Sequence, residues 1–265
     1  MYRKISADIV YPVSSEKIEN GVVVLDEQGK ILEVSEASKF DSSELEIYKG
    51  VIIPGMINTH CHLELSHMYN KIPTGTGLLA FIGNVVKDRG ADESFIQECI
   101  EKADKFMYEN GIVAVGDISN KIDTFPVKSK SALKYYTFVE NFDFLQKENA
   151  QSTFDMYKKV FDDMEENDHL RKSMSPHAPY SMSPELFKLV NSLNVQAGKT
   201  ISIHNQETPP ENELFLKGTG DFHEFFKSFN MSLEEFEAIG KPSIFYALQY
   251  LEPQHKTLFV HNTLT

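Results

Sequence analysis

Short apolar segments alternate with segments of helical periodicity from Val51 onward, and this alternation most constrains what the chain can fold into. Strands that alternate with helices are typical of parallel βαβ units, which have right-handed crossovers and carry functional groups at the carboxyl ends of their strands. Six predicted strands end on titratable side chains, namely His60 with His62, Asp117, Glu140, His177, His204 and His261. One histidine at a strand end is easily accidental, whereas this repetition indicates a shared functional edge.

The predicted elements give an α/β protein with a β-rich start. Apolar residues recur at helical spacing over 78–89 and 95–107, which predicts two amphipathic helices. Residues 22–34 consist of two apolar segments around a glycine-containing turn, which is typical of a β-hairpin. We therefore predict a small β-domain over 1–53 and a separate α/β domain over 54–265.

Composition and charge exclude several classes of partner. The net charge of −13 argues against non-specific binding to nucleic acid or to an acidic membrane surface. The two cysteines, Cys61 and Cys99, are far apart and form no CxxC pair, so we expect no disulfide framework. This favours a reducing compartment. The first eight residues lack the apolar core of a signal peptide, and no run reaches the length of a membrane span. These features predict a cytoplasmic protein that acts on a small molecule, without nucleic-acid or membrane partners.

The histidines of the first predicted strand indicate a metal site. Side chains alternate faces along a strand, so His60 and His62 point the same way and can bind one divalent ion. In a barrel, His204 would complete a three-histidine face, and Glu207 would reach over the metal. A metal ion with an open position lowers the pKa of its bound water to about 7, and a nearby carboxylate can pass the proton to a leaving amine. His261 would hydrogen-bond the attacking water.

Four motifs carry a family resemblance. Residues 54–62 read PGMINTHCH and resemble the first-strand signature of the amidohydrolase superfamily, in its cytosine-deaminase and chlorohydrolase-like branch. Residues 177–181 read HAPYS and resemble the fourth-strand motif of that branch. Residues 204–207 read HNQE and resemble the fifth-strand ligand and acid/base pair, and residues 260–263 read VHNT and resemble the sixth-strand histidine segment. The motifs follow the order of the family over essentially the whole chain.

The resemblance implies a TIM-type (β/α)8 barrel with a metal-dependent hydrolytic site. It implies that His60, His62 and His204 bind one divalent metal ion, which is zinc or, in the alternative, iron. By the same resemblance, Glu207 shuttles protons and His261 orients the water.

The resemblance also extends to the substrate site and to the β-rich start. It implies that His177, with Glu140, contacts the substrate, although Asp117 and Glu140 also fit a plain interpretation as side chains that hydrogen-bond the strand ends. The small N-terminal β-domain matches the family's composite β-sandwich, and a homodimer is implied. Residues 62–66 read HLELS and resemble enzymes that deaminate 6-aminodeoxyfutalosine.

One part of the family pattern has no counterpart in this sequence. The family's further ligand and general base is an aspartate at the end of the eighth strand, whereas only four residues follow His261, the sixth-strand histidine. We therefore expect a barrel that is incomplete after the sixth strand. Without that aspartate, we do not expect this chain to be active as it stands.

Three functions follow from these observations. The first is hydrolytic deamination of an aminated purine-like heterocycle or nucleoside through metal-bound hydroxide. The second keeps the metal and changes the bond, with hydrolysis of a cyclic amide or loss of chloride from an aromatic ring. The third is a catalytically degenerate protein that binds a ligand without turnover.

Overall fold

The structure is a computed structural model that describes residues 2–194 and 198–264. Its contacts divide the chain into two compact units, Met1–Met56 and Ile57–Thr265. The sequence predicts the boundary a few residues earlier, between 53 and 54.

The first unit is built on a five-stranded sheet with its first strand in a central position. Its strands are β1 (Arg3–Val10), β2 (Ile18–Leu25), β3 (Ile31–Glu36), β4 (Glu46–Ile47) and β5 (Val51–Ile52). The hairpin predicted over 22–34 is confirmed, because β2 and β3 pair in antiparallel register. Its turn is held by Asp26, whose carboxylate accepts hydrogen bonds from the backbone N–H groups of Gln28 and Lys30.

The second unit alternates strands and helices, as the sequence predicts. Its strands are β6 (Met56–Cys61), β7 (Ile112–Ser119), β8 (Lys134–Asn141), β9 (Leu170–Pro176), β10 (Thr200–Asn205) and β11 (Lys256–His261). Its helices are α1 (Leu78–Asp88), α2 (Glu93–Glu109), α3 (Phe125–Lys128), α4 (Ala150–Asp163), α5 (Pro184–Asn194), α6 (Pro209–Lys217), α7 (Phe222–Ser228) and α8 (Ser243–Tyr250). None of the helices in the described ranges has the length and apolar character needed to cross a bilayer.

The strands of the second unit form an ordered row in the described part of the chain. One sheet has the order β6-β7-β8-β9, and a second consists of β10 and β11. The pairs β7–β8, β8–β9 and β10–β11 are parallel, with Glu140 opposite Ser175 and Asn205 opposite His261. The two sheets adjoin where the backbone N–H of His204 donates to the carbonyl oxygen of His177, at 2.8 Å. The carboxyl ends of successive strands therefore lie at one edge.

The helices bury a large aromatic cluster against this row of strands. Phe187 of α5, Phe215 of α6 and Phe222 of α7 are completely buried in it. Helix α5 begins at Pro184, directly after Ser183, whose hydroxyl accepts a hydrogen bond from the backbone N–H of Leu186 at 3.1 Å. This packing holds the loops that follow β9 and β10.

The close approach of β6 and β7 can be tested with two glycines. A Cβ added at Gly116 of β7 would lie 2.6 Å from the carbonyl oxygen of Thr59, the residue before His60. G116A should therefore lower the free energy of unfolding by about 1–3 kcal/mol, the usual cost of overpacking. A Cβ added at Gly83, inside α1, would meet no atom within 4 Å. G83A should raise the free energy of unfolding by about 0.5–1 kcal/mol. Urea unfolding measures both values, and equal effects would contradict this packing.

Candidate functional site

Five histidines that are far apart in the sequence converge at the carboxyl ends of the strands. The ring centroids of His60 and His204 are 4.8 Å apart, those of His204 and His261 are 5.5 Å apart, and those of His177 and His204 are 5.0 Å apart. His62 joins them with its ring centroid 4.9 Å from that of His60. The parallel strands place these side chains together because they align the carboxyl end of each strand with that of its neighbour.

Three of the imidazoles have the spacing of a metal-ligand set. The Nε2 atoms of His60 and His62 are 3.2 Å apart, and those of His62 and His204 are 3.3 Å apart. Nitrogen ligands that lie about 2.0–2.1 Å from a tetrahedral zinc ion are about 3.3 Å from one another. His60, His204 and His261 also offer ring nitrogens that all lie within 4.8 Å of one another. The donor set therefore fits one divalent ion.

The hydrogen bonding of His204 determines which of its nitrogens is free. Its Nδ1 is 3.0 Å from the carbonyl oxygen of His177. A carbonyl can only accept, so Nδ1 carries the proton and the neutral ring has its lone pair on Nε2. Nε2 is the atom that faces His62, and a hydrogen bond to the other ring nitrogen is the usual support for a metal-binding histidine.

Burial keeps these imidazoles in their neutral form. It lowers the pKa of His60 to about 4, with a smaller contribution from His261, and lowers the pKa of His62 to about 3, with contributions from the neighbouring histidines. The pKa of His204 lies well below its usual value for the same two reasons. Neutral imidazole is the form that binds a metal ion.

Glu207 lies beside this cluster in a partly apolar environment. Its Oε1 accepts a hydrogen bond from the Tyr180 hydroxyl at 3.0 Å, and its Oε2 is 3.6 Å from Nε2 of His261. Burial and the nearby carboxyl of Glu211 raise the pKa of Glu207 to about 7, against the hydrogen bond from Tyr180, which favours the carboxylate. A carboxyl that titrates near neutral pH is suited to taking up and releasing a proton.

The backbone around Glu207 and His261 is strained. Gln206, His261 and Asn262 have φ values of +49°, +75° and +50°, a left-handed conformation that costs non-glycine residues about 1–3 kcal/mol each. The buried carboxylate of Glu211 supports the first of these positions, because it accepts the backbone N–H groups of Gln206 at 3.1 Å and Glu207 at 2.9 Å. Strain of this kind is common at functional sites.

Glu140 and His177 lie on the other side of His204. Oε1 of Glu140 is 3.6 Å from Nδ1 of His204, and burial together with the carboxyls of Glu64 and Glu207 raises the pKa of Glu140 well above its usual value. Nδ1 of His177 is 2.6 Å from the Ser181 hydroxyl, which itself donates to a carbonyl oxygen. The hydroxyl therefore accepts from Nδ1, and Nε2 of His177 has a free lone pair.

One cavity of about 610 Å³ is lined by all seven residues for which the family resemblance implies a role, namely His60, His62, Glu140, His177, His204, Glu207 and His261. Much of its remaining lining is apolar and comes from the segment 65–85, with Leu65, Met68, Ile72, Leu78, Phe81, Ile82 and Val85. A larger groove of about 750 Å³ beside the start of α5 has none of the proposed site residues among the described residues that line it. The 610 Å³ cavity is therefore the candidate substrate site.

Several residues of this cavity had no role assigned from the sequence. Tyr180 stands in the HAPYS motif, and Glu64 follows His62 by two positions in HLELS. The motifs therefore included both residues, although neither was assigned a role. The Glu64 carboxylate accepts the backbone N–H of Asn120 at 2.9 Å and lies 3.3 Å from the guanidinium of Arg89. Arg89 stands at the end of α1, outside any motif, and its place in the cavity depends on tertiary packing alone.

Asp117 hydrogen-bonds a strand end, which is the plain interpretation that the sequence allows for it. It is completely buried and is not among the described residues that line the cavity. Its Oδ1 accepts the backbone N–H of Leu63 at 2.8 Å, and its Oδ2 is 2.5 Å from Nζ of Lys128, which is also buried. Asp117 therefore stabilises the end of the first strand of the row and does not contact a substrate in the cavity.

These features agree with the relationship of the chain to known proteins. The chain belongs to the amidohydrolase family, whose sequence profile matches residues 51–264. Adenosine deaminase of Helicobacter pylori is 27% identical over 270 residues, which cover 99% of this chain and 64% of the relative. Aminodeoxyfutalosine deaminase of Nitratiruptor sp. is 27% identical over 220 residues, which cover 80% of this chain and 51% of the relative. The chain thus spans about half to two-thirds of the length of these relatives.

Solved structures with the same fold include enzymes of two chemistries. Helicobacter pylori aminofutalosine deaminase superimposes with a TM-score of 0.78 at 24% identity, over 100% of this chain and 64% of that one. The complex of that enzyme with methylthio-coformycin superimposes with a TM-score of 0.73 at 25% identity, over 91% of this chain and 59% of that one. Atrazine chlorohydrolase TrzN from Arthrobacter aurescens TC1, complexed with zinc, superimposes with a TM-score of 0.63 at 17% identity, over 84% of this chain and 58% of that one. The similarity to the chlorohydrolase shows a shared fold alone.

The effect of Tyr180 on Glu207 can be measured directly. Y180F removes a donor that stabilises the Glu207 carboxylate, so the pKa of Glu207 should rise from about 7. A lost hydrogen bond to a charged group corresponds to a rise of about one pKa unit. Carbon-13 NMR titration of labelled glutamate side chains, assigned with E207Q, gives the value. Y108F, at an exposed tyrosine, should leave it unchanged. A Glu207 pKa that is unaffected by Y180F would contradict this geometry.

Proposed function

We propose that the protein is a metal-dependent hydrolytic deaminase of an aminated purine nucleoside of the adenosine type. The observation that carries the proposal is the cluster of three neutral imidazoles whose Nε2 atoms are 3.2 and 3.3 Å apart, next to a carboxyl with a pKa of about 7. The names of the relatives, which are deaminases of adenosine and of aminodeoxyfutalosine, support the same chemistry.

In this proposal His60, His62 and His204 hold the metal ion. A divalent ion bound there makes water acidic enough to act as a nucleophile near neutral pH. Zinc is favoured because the nitrogen separations match a tetrahedral site, and iron is the alternative because imidazole ligands suit both. His261 also has a nitrogen near this set, but we assign it to the water because its Nε2 lies 3.6 Å from Glu207.

Glu207 carries the proton in the proposed reaction. Water adds to the ring carbon that bears the amino group, and Glu207 takes one proton from the water and delivers it to the departing nitrogen. Ammonia leaves as the carbon–nitrogen bond breaks, and the second proton of the water passes from the new hydroxyl to the ring nitrogen as the carbonyl forms. Tyr180 holds Oε1 of Glu207 at 3.0 Å, which keeps Oε2 towards His261. A pKa of about 7 makes both protonation states of Glu207 accessible at neutral pH.

Glu140 and His177 recognise the edge of the heterocycle. Burial raises the pKa of Glu140, which favours the protonated form, and in that form its O–H would donate a hydrogen bond to a ring nitrogen. Nε2 of His177 has a free lone pair and can accept from the amine or from a ring N–H. The apolar segment 65–85 packs against the faces of the ring and the rest of the ligand.

Four further points belong to this proposal. The parallel strands form part of a TIM-type (β/α)8 barrel, and the unit before them corresponds to the small β-domain of the family. The protein acts in the cytoplasm, and it forms a homodimer. The first two rest on the family relationship, the third on composition, and the fourth on resemblance alone.

Metal binding provides the first test. The protein should retain about one equivalent of zinc after equilibration in zinc buffer and gel filtration, measured by mass spectrometry of the metal. H62A removes one of three proposed ligands and should lose most of this zinc, whereas H169A, at an exposed histidine, should retain it. Less than a tenth of an equivalent of zinc or iron in the unmodified protein would contradict the proposed centre.

Ammonia release provides the second test. Adenosine, 5′-deoxyadenosine and other aminopurines should yield ammonia in a coupled assay, and E207Q should lower kcat by about 10²–10⁴-fold because it removes the proton carrier. E33Q, at an exposed glutamate of β3, should have no effect. Full activity of E207Q would disprove the mechanism. Chloride release from a chlorotriazine, without ammonia from any aminopurine, would favour the chlorohydrolase alternative.

A further inference from the structure

A buried ion pair lies directly behind the first metal-binding strand. Asp117 and Lys128 are both inaccessible to solvent, and their charged atoms are 2.5 Å apart. Removing two charges from water is costly, so such a pair persists where its geometry is specific and its remaining groups are hydrogen-bonded. Nζ of Lys128 also donates to the Thr137 hydroxyl at 3.0 Å. The pair therefore ties α3 and β8 to the end of β7.

The carboxylate oxygen of Asp117 that does not face Lys128 contacts the backbone next to His62. Oδ1 of Asp117 accepts the N–H of Leu63 at 2.8 Å, across 54 positions of sequence. The carboxylate thus holds the backbone group that directly follows His62.

His62 needs this support because its backbone leaves the strand. β6 ends at Cys61, and His62 has φ −119° and ψ 70°, outside both the helical and the regular strand conformations. A 3-10 turn over Leu63–Met68 follows immediately. His62 therefore lies beyond the strand, and the peptide unit that joins it to Leu63 is held from two sides. Its carbonyl oxygen accepts the backbone N–H of Leu65 at 2.9 Å within the turn, and its N–H donates to Asp117.

We propose that Asp117, held in place by Lys128, is a positioning residue for His62, and that it sets the distance of the His62 imidazole from those of His60 and His204 through the backbone of Leu63. The inference rests on the proposed metal centre. Asp117 itself touches neither the substrate cavity nor the imidazoles. Its carboxylate acts on the ligand spacing in the way that hydrogen-bonded supporting groups act on ligands in other metal sites.

Two double variants separate this role from simple stabilisation of the core. D117N/K128M removes both charges and keeps a side-chain oxygen that can accept from the N–H of Leu63. D117L/K128M removes both charges and that acceptor, and it leaves no unpaired charge behind. K172M is the control for loss of a buried lysine elsewhere, since Lys172 caps the carbonyl groups of Phe161 and Met164.

Zinc affinity is the decisive measurement, made on the 265-residue chain by competition with a chromophoric chelator, beside thermal unfolding of each metal-free variant. D117L/K128M should bind zinc about 10–100-fold more weakly, the usual effect of losing such a support. D117N/K128M should stay within about threefold of the unmodified chain, because its acceptor remains. K172M should lower the unfolding temperature without changing the affinity.

Each other outcome overturns the inference. If D117L/K128M binds zinc as tightly as the unmodified chain, or if both double variants lose the same affinity, Asp117 does not position His62. If K172M weakens zinc binding as much as D117L/K128M does, the effect is general destabilisation. If the unmodified chain binds no zinc, the proposed metal centre itself fails, a result distinct from those in which only the variants disagree.

Discussion

The carbonyl oxygen of His177 accepts two hydrogen bonds from His204, one from its backbone N–H at 2.8 Å and one from Nδ1 at 3.0 Å. The first joins the four-stranded sheet to the two-stranded sheet, and the second determines the tautomer of a proposed metal ligand. The positions of Glu207 and His261 depend on the same contact, since β10 and β11 pair in register behind it. A shift of one residue in this register would turn the site side chains to the other face of the sheet.

Burial gives these groups their chemical character. The imidazoles lose their protons because the site excludes water, and the carboxyls of Glu140 and Glu207 are pushed towards their neutral forms for the same reason. One environment therefore supplies neutral nitrogen donors, a buried carboxyl with a raised pKa and a second carboxyl that titrates near pH 7. Perturbed groups of this kind concentrate at functional sites, which makes their convergence in one cavity informative.

The candidate site residues could be chosen from the sequence because they stand at or just after strand ends, and because all of them except Glu140 lie in a motif. The sequence predicts His60 and His62 on one face of a strand, whereas β6 ends at Cys61 and His62 lies just past it, in a turn. Glu207 follows His204 by three positions, so its nearness to the histidines required only the parallel arrangement. Their spacing in the structure agrees with those predictions, while their roles remain proposals. Lys128 and Arg89 could not be chosen, because each acquires its partner from a segment more than ten residues away and has no local pattern.

The order of strands and helices, the α/β class and the identity of the clustered histidines were determined by the sequence alone, because hydrophobic periodicity and strand alternation are local properties. Tertiary structure decided which nitrogen of His204 is free, why Glu207 titrates near neutrality, and that Asp117 binds Lys128 and the backbone beside His62. These properties depend on distances of a few ångströms between atoms far apart along the chain, and only packing sets such distances.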